Sequence, residues 1–261
     1  MNLIKGYLIA FYNKFVQLRE KDIVLKTIPI GTFTIDTEEI ASYAGGFIIN
    51  YKNHHILITA AHVINKPRKL GIMLEAYKGK PNVAFYNPLP ILGYKMRVDL
   101  PPASEIKQVK ELNELFDNQP IKYDMVYTAI SKDLIILQND MNSPFFNEPR
   151  RIANINFPIT VTKNDKYKIY GLNYIPNDDK LPIFNQIYKN DLRLVDEDVH
   201  YLYFKTKRKF KNTIYGCSGS PIFDKNGNII SMIVAQKDNY IQGLKLNILE
   251  AILFATYYDE V

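Results

Sequence analysis

"TIYGCSGSP", residues 213 to 221, sets one serine between two glycines and beside the only cysteine of the chain. Three readings compete: Ser218 as a reactive alcohol, Cys217 as the nucleophile, or a tight turn and nothing more. Serine at its solution pKa is a weak nucleophile. It becomes reactive when an imidazole takes its proton, a carboxylate holds that imidazole's tautomer, and amide donors face the oxygen that turns negative. The glycines permit a sharp turn that points the N–H groups of Gly216 and Ser218 toward one spot, a candidate oxyanion hole.

The imidazole must come from one of four histidines, His54, His55, His62 and His200. His62 follows the apolar run ILITAA, whose small residues let a ring lie against a packed sheet edge. His54 and His55 fall in YKNHH, a turn signal, and His200 opens an alternating segment; structural or surface roles suit all three better. For the carboxylate, Asp124 stands immediately before the apolar run MVYTAI, where it would enter an interface between units. Asp133 is the second candidate, while Asp99 and Asp117 read as loop or strand-end charges.

Chain order narrows the fold. A nucleophile-elbow hydrolase needs its histidine after its serine, and no histidine follows Ser218; the motif also ends in Ser220 where that fold has glycine. The order His62, Asp124, Ser218 is that of the chymotrypsin arrangement. Three blocks, GFIINYKNHHILITAAHVI, DMVYTAI and GCSGSPIFDKNGNIISMIVAQ, resemble the signature blocks of trypsin-like serine peptidases, with most likeness to the bacterial branch of HtrA-type and glutamyl endopeptidases. The resemblance runs over about residues 27 to 250, though only these blocks match specifically.

What this resemblance implies is an all-β chymotrypsin-type fold, two antiparallel six-stranded barrels with a His62-Asp124-Ser218 triad between them, and hydrolysis of peptide bonds through an acyl-enzyme. It implies no metal or cofactor. In the family, glycine directly follows the nucleophile, as Gly219 follows Ser218, so Cys217 takes the variable position and serves as a small side chain beneath the turn. Digestive relatives carry an aspartate there that pairs with a newly cut N-terminus. A neutral thiol cannot, so activation by cleavage is not expected. The strand 231–235 resembles the one that pairs with substrate backbone, which makes Ser231, Ile233 and Ala235 candidate substrate contacts, with Thr213 lining the primary pocket. Ile233 stands where glutamyl endopeptidases have histidine, so that device for selecting glutamate is absent.

Composition agrees with a β fold. The chain has 261 residues, 47% of them hydrophobic, with 19 Tyr, 14 Phe and no Trp, a length that supports one large core or two small ones. Short alternating or apolar segments punctuated by turn signals predict strands at 26–35, 45–51, 55–61, 71–77, 91–98, 123–130, 133–137, 166–172, 187–195, 200–206, 228–236 and 240–247. Helical spacing of Ile106, Val109, Leu112 and Phe116 predicts an inserted helix over 104–116, and 247–258 predicts a closing helix. The expected organisation is a helical extension over 1–26, a first barrel over 27–140, a linker over 141–155, a second barrel over 156–246 and a C-terminal helix over 247–261.

One cysteine cannot form an internal disulfide, and Asn13 and Lys14 interrupt the first apolar segment, so a cytoplasmic protein without a signal peptide or membrane span is expected. A net charge of +6 with interspersed signs does not imply general nucleic-acid binding. The exception is KTKRKFK, residues 205 to 211, which reads as a solvated loop or a patch for an acidic partner. The expected partner is a peptide or protein substrate, with a regulatory partner left open. The alternative to an enzyme is an inactive peptide-binding scaffold of the same fold.

Overall fold

The computed structural model describes residues 20–34, 40–64, 68–77, 80–86, 89–93, 121–138, 143–155, 157–175, 183–207 and 216–257. The expected helix over 104–116, most of the helical extension over 1–26, Asp99, Asp117, Thr213 and most of the basic run lie outside them. A short helix α1 (Lys21–Lys26) leads into seven strands: β1 (Ile28–Thr34), β2 (Ile40–Tyr51), β3 (His54–Thr59), β4 (Arg68–Tyr77), β5 (Lys80–Tyr86), β6 (Leu89–Gly93) and β7 (Ile121–Ile130). These form one antiparallel sheet in the order β5-β4-β1-β2-β3-β7-β6. β8 (Tyr167–Ile175), β9 (Ile183–Glu197), β10 (Tyr201–Lys205), β11 (Pro221–Phe223), β12 (Ile229–Lys237) and β13 (Tyr240–Lys245) close a six-stranded antiparallel barrel. The chain ends in α2 (Asn247–Thr256).

The apolar runs of the first unit bury both faces. Ile48, Leu57 and Val126 point into the first unit with Ile28, Ile30 and Ile72. Their strand neighbours Phe47, Ile49, Ile56, Ile58 and Met125 meet Tyr170, Phe223, Met232 and Leu244 of the second barrel, together with Leu249 and Leu253 of α2. Alternate residues thus serve two different cores, and this is why segments such as FIIN and ILIT read as continuous apolar runs and not as alternation. A third core fills the closed barrel with Tyr167, Leu192, Phe204, Ile222 and Ile241.

Three strand expectations changed. Residues 133–137 form a turn and coil with one bridge, Leu137 to Pro149, because Ser131 to Asp133 already turn the chain off the sheet. The run KPNVAFY, unmarked in the sequence by its proline and asparagine, pairs with β4 as β5 and makes the first sheet seven-stranded. The three residues of β11 are too short for a periodic signal, yet they pair with both β8 and β12.

The described part of the expected linker over 141–155 is held by hydrogen bonds at several points. Ala153 bridges to Ile49, and the amides of Arg150 and Arg151 donate to the carbonyls of Ile136 and Leu25. Arg150 is buried, and its guanidinium donates to the carbonyls of Val24 and Thr27 and to the Gln138 side chain, so it satisfies the carbonyls at the end of α1.

Candidate active site

His62 and Asp124 are brought together by strand register. In the β3–β7 ladder Thr59 stands opposite Val126, and continuing that antiparallel register past the end of β3 sets Asp124 beside residues 61 and 62. There the chain leaves the sheet in a 3-10 turn, Ala61–Ile64, anchored by Val63 in the first core. The turn lifts His62 over the strand end. Asp124 Oδ1 accepts the backbone N–H of His62 at 2.7 Å, and Oδ2 lies 2.7 Å from the ring Nδ1. One carboxylate therefore holds both the backbone position of the residue and the orientation of its ring. The pair is not deeply buried, the two side chains being 42% and 25% exposed.

The second barrel also reaches this carboxylate. Tyr201 of β10 is half-buried, and burial, followed by the nearby charges of Asp124 and Asp198, pushes its phenol above the ordinary range. The His200 ring lies edge-on against Tyr123, 5.2 Å between centroids, so the residue before Asp124 is gripped from across the seam. Asp133, the other candidate acid, is exposed on the 131–133 turn, where its backbone N–H donates to Ser131 Oγ, and it makes no bond to His62 among the described residues. His54 stacks on Tyr257, and His55 lies in the β2–β3 hairpin, where partial burial, then the charge of Lys132, lowers its pKa.

The Ser218 turn is built by backbone. Ser220 N–H donates to the Cys217 carbonyl at 2.9 Å, and Gly219 has φ +87°, the positive value that the third residue of a type II turn requires. Ser218 takes the corner of that turn. Gly219 N–H donates to Ile233 O at 2.7 Å and Ile233 N–H to Ser220 O at 2.9 Å, which ties the turn to β12. Gly45 N–H donates to Ser218 O at 2.8 Å, and Thr59 Oγ1 to Gly45 O at 2.6 Å, which ties it to the first unit. A Cβ on Gly219 would come within 2.2 Å of Gly45 O and 2.9 Å of Ala60 N, so only glycine lets the turn seat two residues before His62.

Among the described residues the N–H groups of Gly216 and Ser218 have no acceptor, in contrast to those of Gly219 and Ser220. Gly216, at φ +83°, opens the same loop. Ser218 Oγ makes no hydrogen bond to the His62 ring in this structure. Cys217 is fully buried, its thiol pushed up to about 12 by burial, with Sγ packed toward Gly171 of β8. It is a neutral core side chain at physiological pH.

The residues expected to line a substrate path separate into two kinds. Ser231 is fully buried and donates to Leu244 O, and Ile233 packs inside the barrel, so neither side chain reaches a substrate. Ala235 is exposed. Alternation alone did not show which residues β12 turns inward, because its register with β13 shifts between Ile233 and Ala235. The contributions of Gly45 and Thr59 had no signal in the motif blocks beyond small size: Gly45 acts through its backbone, and Thr59 through a hydroxyl bond to Gly45 O that depends on strand pairing.

No protein-family model matches the sequence, and no curated protein matches it. Among solved structures the chain is similar to the serine endoprotease from Yersinia pestis, at 10% identity and a TM-score of 0.49, over 92% of this chain and 65% of that one. This chain therefore spans about two thirds of the length of the Yersinia protein. It is also similar to the serine protease of a human pathogenic astrovirus, at 12% identity and a TM-score of 0.42, over 85% of this chain and 90% of that one. The two antiparallel β units, a seven-stranded sheet and a closed six-stranded barrel, meet along β2, β11 and the 217–220 turn. Among the described residues no helix is long and apolar enough to cross a membrane.

Proposed function

We propose that the chain is a serine endopeptidase working through an acyl-enzyme. His62 Nε2 takes the proton of Ser218, Oγ attacks a peptide carbonyl, and the amides of Gly216 and Ser218 receive the oxyanion. His62 then protonates the leaving amine, and water repeats the sequence to release the acyl group. Asp124 keeps the ring oriented and stabilises its charged form. The observation that carries this reading is the double hold of one carboxylate on His62, backbone N–H and Nδ1 together, both at 2.7 Å. A structural ion pair has no need of both.

The motif likeness extends the proposal to the bacterial HtrA-type and glutamyl endopeptidase branch. A peptide or protein is the substrate, and a reducing compartment such as the cytoplasm suits a fold with no disulfide to lose. A second reading, an inactive peptide-binding scaffold, draws on the unmade bond between Ser218 Oγ and His62.

A fluorophosphonate probe separates the two. The enzyme reading expects covalent labelling of the wild type that disappears in Ser218→Ala and falls sharply in His62→Ala. A folded wild type that never labels, or labelling that persists in Ser218→Ala, would overturn it in favour of the scaffold.

A further inference from the structure

Beyond Ile233, β12 runs outward from the nucleophile turn with an open side. Ile233 commits both backbone groups to Ser220 and Gly219. From Val234 onward β12 pairs with β13 on one side, and among the described residues no strand pairs with its other side. An edge of this kind accepts an extended peptide by main-chain hydrogen bonds.

Register determines which side chains such a peptide would meet. Tyr240 of β13 stands opposite Lys205 of β10 and Lys237 of β12, and Gln242 stands opposite Tyr203 and Ala235. Directly opposed residues project to the same face, so the three strands present two rows on the outside of the barrel. The inner row is Tyr203, Gln242 and Ala235. The outer row is Lys205, Tyr240 and Lys237, all exposed, with the Lys205 ammonium 5.0 Å from the Tyr240 ring centroid. A third row, Tyr201, Leu244 and Met232, packs toward the first unit, where Tyr201 lies near Asp124. The face thus leads from the triad acid to a cationic end.

Among the described residues none of Lys205, Lys207 and Lys237 forms an ion pair with a carboxylate. Asp191 accepts the Lys207 backbone N–H at 3.1 Å, and Asp238 sits in the β12–β13 turn, so acidic residues offset part of the charge.

Resting on the peptidase reading, we infer that this face is a subsite for acidic side chains about three to four residues before the cleaved bond. An antiparallel peptide joined to Ser218 advances about 3.3 Å per residue along β12 and reaches Lys237 after roughly 10–13 Å. Its alternate side chains fall on the Ala235–Lys237 face. Alanine at 235 leaves the rim beside the peptide low, Lys237 of the strand the peptide pairs with meets its carboxylate, and Lys205, two strands further across, adds longer-range attraction. Nucleic acid would also be drawn to lysines, but the continuity of the cationic row with an open strand edge favours a peptide.

The test uses the full chain carrying Ser218→Ala, with fluorescent peptide pools randomised except for two adjacent fixed positions, filled by Glu, Gln or Lys, read by anisotropy. The Glu pool is expected to bind about three- to tenfold tighter than the Gln pool, with the Lys pool weakest, as exposed charge pairs allow. The preference should vanish in Lys205→Gln/Lys237→Gln and shrink in about 0.5 M salt. Equal binding of the Glu and Gln pools, a preference that survives the double substitution, no binding by any pool, or a single-stranded RNA that outcompetes the Glu pool would each overturn the subsite. Fluorophosphonate labelling of the wild type reports separately on the enzyme: labelling without acidic preference removes the subsite alone, and acidic preference without labelling removes the peptidase.

Discussion

The two halves of the candidate site are held by different means. In the first unit, side chains define it: His62 and Asp124 are joined by bonds to one carboxylate and stand partly in solvent. In the second, packing defines it: Cys217, Gly219 and Ser220 are buried, and the turn is fastened through backbone groups of Ile233 and Gly45. A site divided in this way separates chemistry from folding. Replacing a side chain in the first half should remove activity and leave the fold, whereas adding even one methyl group in the second should disturb both.

The largest effect tests the first half. On the peptidase reading, His62→Ala is expected to lower turnover by roughly three to six orders of magnitude with little change in Tm. Loss of activity accompanied by unfolding in His62→Ala would break the comparison. Next comes Gly219→Ala, which needs a positive φ and drives a Cβ into Gly45 O. It should cost about 2–4 kcal/mol in chemical denaturation and abolish probe labelling together.

The packing beneath the turn gives a sharper, smaller test. A Cβ on Gly171 would sit 2.5 Å from Cys217 Sγ. Gly171→Ala should destabilise by about 1–3 kcal/mol through overpacking, and adding Cys217→Ala should restore part of that loss. Purely additive costs in the double variant would show that the two residues do not press on each other. Cys217 itself should resist iodoacetamide in the native protein and react on unfolding, since its thiol is buried and neutral.

The smallest expected effect lies at the edge of the seam. Burial tends to raise the pKa of Asp198, but bonds from Tyr203 and from the amides of His200 and Tyr201 outweigh it and hold it low. A depressed carboxylate stabilises the fold above its unfolded pKa of about 3.9, and that contribution fades as pH falls through the lower folded value. Asp198 is exposed, so Asp198→Asn should cost no more than about 1 kcal/mol at neutral pH. The difference from wild type should close in acid; one that persists there would point to packing and not charge.

Much of this was legible in the residues. The candidates His62 and Ser218 stood out because each requires small or glycine neighbours, and the strands that bury both faces announced themselves as apolar runs. Asp124 was preferred to Asp133 for its place before an apolar strand, but only the β3–β7 register sets it against His62. β5 and β11 escaped because a proline-containing edge and a three-residue strand carry no usable period. That the Ser231 and Ile233 side chains turn inward while Ala235 is exposed was not readable for a related reason, a bulge that breaks the alternation from which facing is read.

By itself, then, the order of residues determined the kind of strands, the chain order of imidazole, carboxylate and hydroxyl, and the demand for glycine around Ser218, because these are local requirements of sterics and chemistry. Only the tertiary structure decided which carboxylate meets His62, which face of β12 is open, and where the Ser218 turn is fastened. Those depend on ladders between residues distant in the chain, and hydrogen bonds made by backbone leave no mark on side-chain identity.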